Sequence, residues 1–179
     1  MSDWVRKGQA KSRARAWLVH RLDRETSGVM MFAKSGELAE RIRDDWNALT
    51  EKRYLALVEG EIAGEEGVFE SYLRDDPKTM KVASVADPAD GKFARTEWRR
   101  LSAGGGTTLV EVALKTGRKN QIRVHFAEAG HPVVGDAKYG GRKAKRLFLH
   151  SAELVFRHPV TGRVFRWTAP PPPGLRREG

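Results

Sequence analysis

The stretch HRLDRETSG, His20 to Gly28, sets Asp23 between Arg21 and Arg24. A carboxylate flanked this way has two readings. It is a solvated ion pair worth little, or it is an acid kept ionised by a guanidinium while partly desolvated. In the second case it can act as a nucleophile or base. The turn Thr26-Ser27-Gly28 leads straight into the apolar run Val29–Ala33, which places Asp23 at the mouth of a core.

Three further segments carry chemical potential. GRKNQIRVH, Gly117 to His125, is basic through Arg118, Lys119 and Arg123. It predicts a sharp turn at Gly117 and a helix whose first amides face an anion. On that helix Gln121 and His125 share one face, and Ile122 and Phe126 another. A solvated basic turn before an amphipathic helix reads equally well. In KRYLALVEG, Tyr54 sits beside Lys52 and Arg53 at the start of an apolar strand. Packing is the plainer reading for its ring, and base stacking with phosphate contacts nearby is the other. GHPVVGDAKYGG, Gly130 to Gly141, reads as a fixed loop ordered by Asp136 and Tyr139.

Composition limits the partners. The formal charge of +10, from 33 Lys and Arg against 23 Asp and Glu, favours a polyanion such as RNA. Cysteine is absent, so thiol catalysis, disulfides and Cys-ligated zinc are excluded. The histidines (His20, His125, His131, His150, His158) lack ligand spacing, and no glycine-rich nucleotide fingerprint occurs. No metal or cofactor is expected. No run is apolar enough to cross a membrane, and no secretory h-region follows Met1, so a cytoplasmic protein is expected.

The elements that must position these residues alternate in short runs. Residues 1–16 read as a basic arm, 17–172 as one domain and 173–179 as a loose tail. Val29–Ala33 predicts a strand. Ser35 predicts a helix cap, with Leu38, Ile42, Trp46 and Leu49 on one helical face. Strands are predicted at 53–59, 67–73, 80–85, 92–101, 107–115, 147–150, 152–156 and 164–168. Gly104-Gly105-Gly106 makes a hairpin turn, His158-Pro159 to Gly162 another, and 121–128 is a helix closed by Gly130. Neighbouring strands joined by turns, with few helices, indicate an α+β fold on a largely antiparallel sheet.

Taken together, HRLDRETSG, RYLALVEG, TGRKNQIRVHFAEAGHPVVGDAKYGG and RLFLHSAELVFRHPVTG resemble, in order, the motifs of the RluA-type pseudouridine synthases. The resemblance runs from about Leu18 to Pro172. It implies a pseudouridine-synthase-like mixed sheet with a central RNA-binding cleft. It also implies cofactor-free isomerisation of uridines in rRNA or tRNA; apart from the resemblance, a monomer is expected. The N1 glycosidic bond breaks, the base turns, and C5 joins the same sugar. By resemblance Asp23 is the essential carboxylate, Tyr54 stacks on the target base, and Arg123 pairs with Asp23. Arg21 fills the space left by the flipped nucleotide. His20, Arg118, Lys119 and Gln121 are the expected RNA contacts.

Two departures from the family pattern stand out. Its Thr-His before Gln-Ile-Arg is Lys119-Asn120 here. Only about twenty basic residues stand before the aspartate motif, where the family usually carries two strands, a Lys-Pro loop and often an S4 domain; either the sheet lacks edge strands, or the chain is a fragment or a shortened gene product. Two other function classes compete. A non-catalytic RNA binder, or a degenerate member of the same fold missing its upstream strands, would not need the Asp23, Tyr54 and Arg123 trio, and a metal-dependent nuclease would need a carboxylate cluster.

Overall fold

The computed structural model describes residues 15–175; the predicted arm lies almost wholly outside them, as does the end of the tail. Short strands β1 (Trp17–Leu18), β2 (Ser27–Gly28) and β3 (Phe32–Ala33) come first, then helices α1 (Gly36–Asp44) and α2 (Trp46–Leu49). Long strands follow: β4 (Thr50–Glu59), β5 (Glu66–Asp76), β6 (Lys81–Val85), β7 (Lys92–Gly104) and β8 (Thr107–Leu114). Helix α3 (Gln121–Glu128), β9 (Leu149–Arg157) and β10 (Val164–Thr168) complete the chain. The main sheet runs β10-β9-β4-β8-β7-β5-β6, all antiparallel, with β2 added to β9 in parallel. The fold is therefore α+β with a mixed, mostly antiparallel sheet. Among the described residues no helix is long and apolar enough to cross a membrane.

Strand β4 lies inside the sheet between β8 and β9. Its alternation buries Thr50, Lys52, Ala56 and Val58 on one face. Ala56 and Val58 join Val110, Val112, Ile122 and Phe126 in the main core, so α3 is held against the middle of the sheet. A bulge interrupts β4 and β9: Arg53 pairs with Glu153, but Tyr54 pairs with Ser151, leaving Ala152 extra. Such a bulge re-aims the side chains beside it, and it falls at the tyrosine that the motifs single out.

Two predicted elements differ in form. Helical spacing from Leu38 to Leu49 predicts one helix, but the chain breaks at Asp45. The Asp45 carbonyl receives the N–H groups of Ala48 and Leu49, starting a new turn. All four apolar residues still pack in one cluster with Val19, Ala33 and Phe156, so the spacing served packing across the break. Ser35 caps α1 as predicted, its hydroxyl accepting the Leu38 N–H at 3.2 Å. The expected strand Val29–Ala33 is reduced to Phe32–Ala33. The Met31 N–H goes to His20 Nε2 at 2.9 Å rather than to a neighbouring strand. The start of the expected loose tail is docked, since Leu175 is fully buried.

Gly28 explains the end of the HRLDRETSG motif. Its φ is +118°, and a β-carbon there would lie 2.1 Å from the Ser151 carbonyl oxygen. The bare backbone lets β2 press onto β9 directly beside the bulge. Gly28→Ala is expected to destabilise the protein by more than about 2 kcal/mol, lowering Tm by about 5 °C or more. Gly104→Ala has open space around it and ordinary φ, and should shift stability by less than about 0.5 kcal/mol in the same thermal melts.

Candidate active site

Arg123 is the centre of the site. It lies in the first turn of α3 with a side chain only 8% exposed. Its Nε and Nη2 donate to Asp136 Oδ2 and Oδ1, both at 2.6 Å, a two-pronged grip on a fully buried carboxylate. Nη1 donates to Asn120 Oδ1 at 3.2 Å. The guanidinium also lies over the Tyr139 ring at 5.2 Å. Fixed from behind, Arg123 presents Nη1 to Asp23 Oδ2 at 3.8 Å.

Asn120 shapes the approach. It adopts the left-handed conformation, φ 54° and ψ 19°, just before α3. Asn and His are among the few side chains that tolerate this region, which accounts for asparagine where the family carries histidine. The Asn120 backbone N–H is thereby aimed at the Asp23 carboxylate. Burial pushes the Asp23 carboxyl above the ordinary aspartate value, opposed by Arg123, the Asn120 N–H and Arg21. The 3.8 Å gap to Arg123, whose strong contacts are spent on Asp136, explains why burial wins.

Asp23 and Tyr54 share a cavity of about 260 Å³. Among the described residues Asp23 is the only acid on its wall, against the cations Arg21, Arg43, Lys52 and Arg118. Burial pushes the Tyr54 phenol up to about 12, the Ser151 hydrogen bond opposing and Asp23 reinforcing the shift. The hydroxyl therefore keeps its proton at neutral pH. At the wall the Thr26 hydroxyl is buried with no hydrogen-bond partner among the described residues.

The structure thus brings Asp23 to both partners: Tyr54 shares its cavity wall, and Arg123 reaches it from behind without lining the cavity. The expected RNA contacts divide. Arg21 is exposed at the cavity wall, and Arg118 lines it while donating Nε to the Phe93 carbonyl at 2.9 Å. Lys119 faces an adjoining cavity and is held by Asp75 at 2.6 Å. Gln121 is 2% exposed and spends its amide internally. Its oxygen accepts from Thr116 and the Arg118 N–H, and its nitrogen donates to Thr96 and the Arg95 carbonyl. It fixes the turn rather than offering a free group to RNA. His20 stacks on Trp46 at 4.5 Å and accepts the Met31 N–H, so it too is a structural part of the wall. Burial, aided by Lys52, lowers its pKa to about 4.

The sequence reads Asp136 as ordering the loop, Lys52 as one of two cations beside Tyr54 that could contact phosphate, and Asn120 only as the start of the helix and a departure from the family motif. The usable signal for Asp136 was the buried arginine itself, which requires a carboxylate. Among the described residues no group of three or more His, Cys, Asp or Glu side chains is placed to hold a metal ion.

Comparison with known proteins bears on the family and the fold. A family model described as RNA pseudouridylate synthase matches residues 6–128. The chain is 40% identical over 168 residues to an uncharacterized RNA pseudouridine synthase of Chloroflexus aurantiacus, covering 90% of this chain and 52% of that protein. It is 38% identical over 180 residues to the ribosomal large subunit pseudouridine synthase C of Escherichia coli strain K12, covering 89% and 54%. The chain spans about half the length of these curated relatives. Its fold superposes on human RNA pseudouridylate synthase domain containing 1 with a TM-score of 0.77 and 26% identity, covering 96% of this chain and 75% of that one.

Two outcomes follow from the buried charges. Asp136→Ala leaves the Arg123 guanidinium without its carboxylate and should cost about 3–5 kcal/mol in denaturant unfolding. His20 binds a proton near pH 6.5 when unfolded and only near pH 4 when folded. The unfolded state therefore holds more protons between these values, and stability falls as pH drops through that window. The loss should reach about 3 kcal/mol by pH 4. The difference between the wild-type and His20→Gln unfolding curves across that range measures it.

Proposed function

Because this chain belongs to the RNA pseudouridylate synthase family, we propose that it isomerises uridines in structured RNA to pseudouridine. The observation that carries this reading is the lone carboxylate of the cavity, Asp23, set against Arg123 Nη1, the Asn120 N–H and Tyr54. The reaction breaks N1–C1′, turns the uracil and forms C5–C1′, with the C5 proton lost and N1 gaining one. It is redox-neutral and draws on no external co-reactant.

A carboxylate made more basic by burial suits the opening step on sugar or base, and Arg123 and the Asn120 N–H steady whatever charge it keeps. Tyr54 offers its ring to the flipped base. Because its phenol holds its proton, it serves C5 as a proton relay and not as a resident phenolate. Arg21, exposed beside Asp23, is placed to occupy the gap in the RNA stack. The Escherichia coli relative is named for the large ribosomal subunit, which favours rRNA over tRNA as the substrate. We read the chain as acting as a cytoplasmic monomer.

Incubation with total RNA, followed by carbodiimide primer extension, should reveal pseudouridine at defined rRNA positions. Asp23→Asn should lower the rate by more than about 10³-fold with RNA affinity retained. Tyr54→Phe should lower it by about 10²-fold, since the ring stays and the proton relay goes. Equal activity in Asp23→Asn, or RNA binding by the wild type without isomerisation, overturns the reading. Modification confined to tRNA overturns the choice of RNA class.

A further inference from the structure

The cavity holds a buried charge that the reaction above does not use. Lys52 stands two residues before Tyr54 on the inner face of β4 and is 6% exposed. Its ammonium donates to Asn47 Oδ1 at 2.7 Å, and no carboxylate pairs with it among the described residues. Arg123, the other buried cation of the site, has Asp136. The ionisable neighbours on the cavity wall do not help Lys52. Arg21, Arg43 and Arg118 are cations, His20 is neutral, and Tyr54 keeps its proton. Asp23 is engaged by Arg123 and the Asn120 N–H.

An ammonium taken out of water beside a neutral amide alone is costly. Burial accordingly holds Lys52 down to about 8. A methionine would fill the same strand position without that cost, so the charge calls for an anion brought by a ligand. The end of the side chain is well placed for one. Asn47 Oδ1 lies 3.9 Å from where a β-carbon on Gly117 would be, and the exposed Gly117 backbone leaves the rim there uncrowded. A compact ammonium matches a phosphate oxygen as a point charge.

We propose that Lys52 binds the phosphodiester adjacent to the flipped uridine, anchoring the backbone while Asp23 and Tyr54 address the nucleoside. This rests on the pseudouridine synthase reading. It adds a phosphate contact at the rim between Lys52 and Gly117.

The test uses the full chain and an RNA oligonucleotide spanning a uridine mapped as above. The linkage on either side of that uridine is replaced in turn by a neutral methylphosphonate. Lys52→Met should raise Kd about tenfold or more, and Lys52→Arg should restore part of the loss. One lost phosphate contact should also reduce the slope of log K against log salt by about 0.7, a change that a purely structural role would not produce. One methylphosphonate should weaken wild-type binding by a similar factor and leave Lys52→Met unaffected. If the Met variant does not fold, Lys52→Gln carries the same comparison. An unchanged Kd and salt slope, or equal weakening of wild type and variant by every methylphosphonate, overturns the contact. Pseudouridine formed without any dependence on Lys52 overturns the contact alone. Lys52-dependent binding without pseudouridine overturns the catalytic reading and supports the contact.

Discussion

A guanidinium removed from water must be answered by a carboxylate, and here Asp136 answers Arg123 from a loop beyond the far end of the same helix. That pair does more than neutralise a charge. Asp136 also accepts the Tyr139 N–H, and the Tyr139 hydroxyl oxygen accepts hydrogen bonds from Asn120 Nδ2 and from the Val82 N–H, both at 3.0 Å. One ion pair thereby ties the loop, the start of α3 and the edge strand β6 into a single frame. Asp23 meets only the outer edge of this frame, which is why its carboxylate feels a cation without being fully captured by it.

The distribution of charge extends the same logic. On the strands, arginines are spent locally: Arg95 on Glu70 and Glu97, and Arg53 and Arg99 on Glu111, with Arg53 also reaching Glu153. Around the cavity the cations Arg21, Arg43, Lys52 and Arg118 have no ion-pair partner among the described residues. The cavity wall therefore carries four cations against one acid, a local excess of positive charge suited to a polyanion.

Much of this was legible in the sequence, for identifiable reasons. Helix α3 and its closing glycine were readable because local hydrogen bonding sets them; Gly130 has φ +84°. The spacing of β4 to β8 followed from alternation and turns. The trio Asp23, Tyr54 and Arg123 was readable because separate motifs pointed to it. What escaped was non-local. His20 and Gln121 looked like free polar groups, but Met31, Thr96 and the Arg118 turn consume them, and only the folded chain supplies those partners. Val29–Ala33 has strand composition but found too few neighbours to pair with. The burial of Lys52 is not legible in a linear chain, because only the register of β4 turns it inward.

The left-handed backbone at Asn120 also restricts the alphabet available there. Glycine would fit but would surrender the Oδ1 and Nδ2 bonds that link Arg123 to Tyr139. β-Branched residues would be strained by the backbone itself. The exchange of histidine for asparagine at this point is thus a move within a very small set of side chains, one that preserves the direction of an amide instead of the identity of a residue. Substitution at this point is restricted by a dihedral angle, because that angle is what aims the residue's N–H at the Asp23 carboxylate.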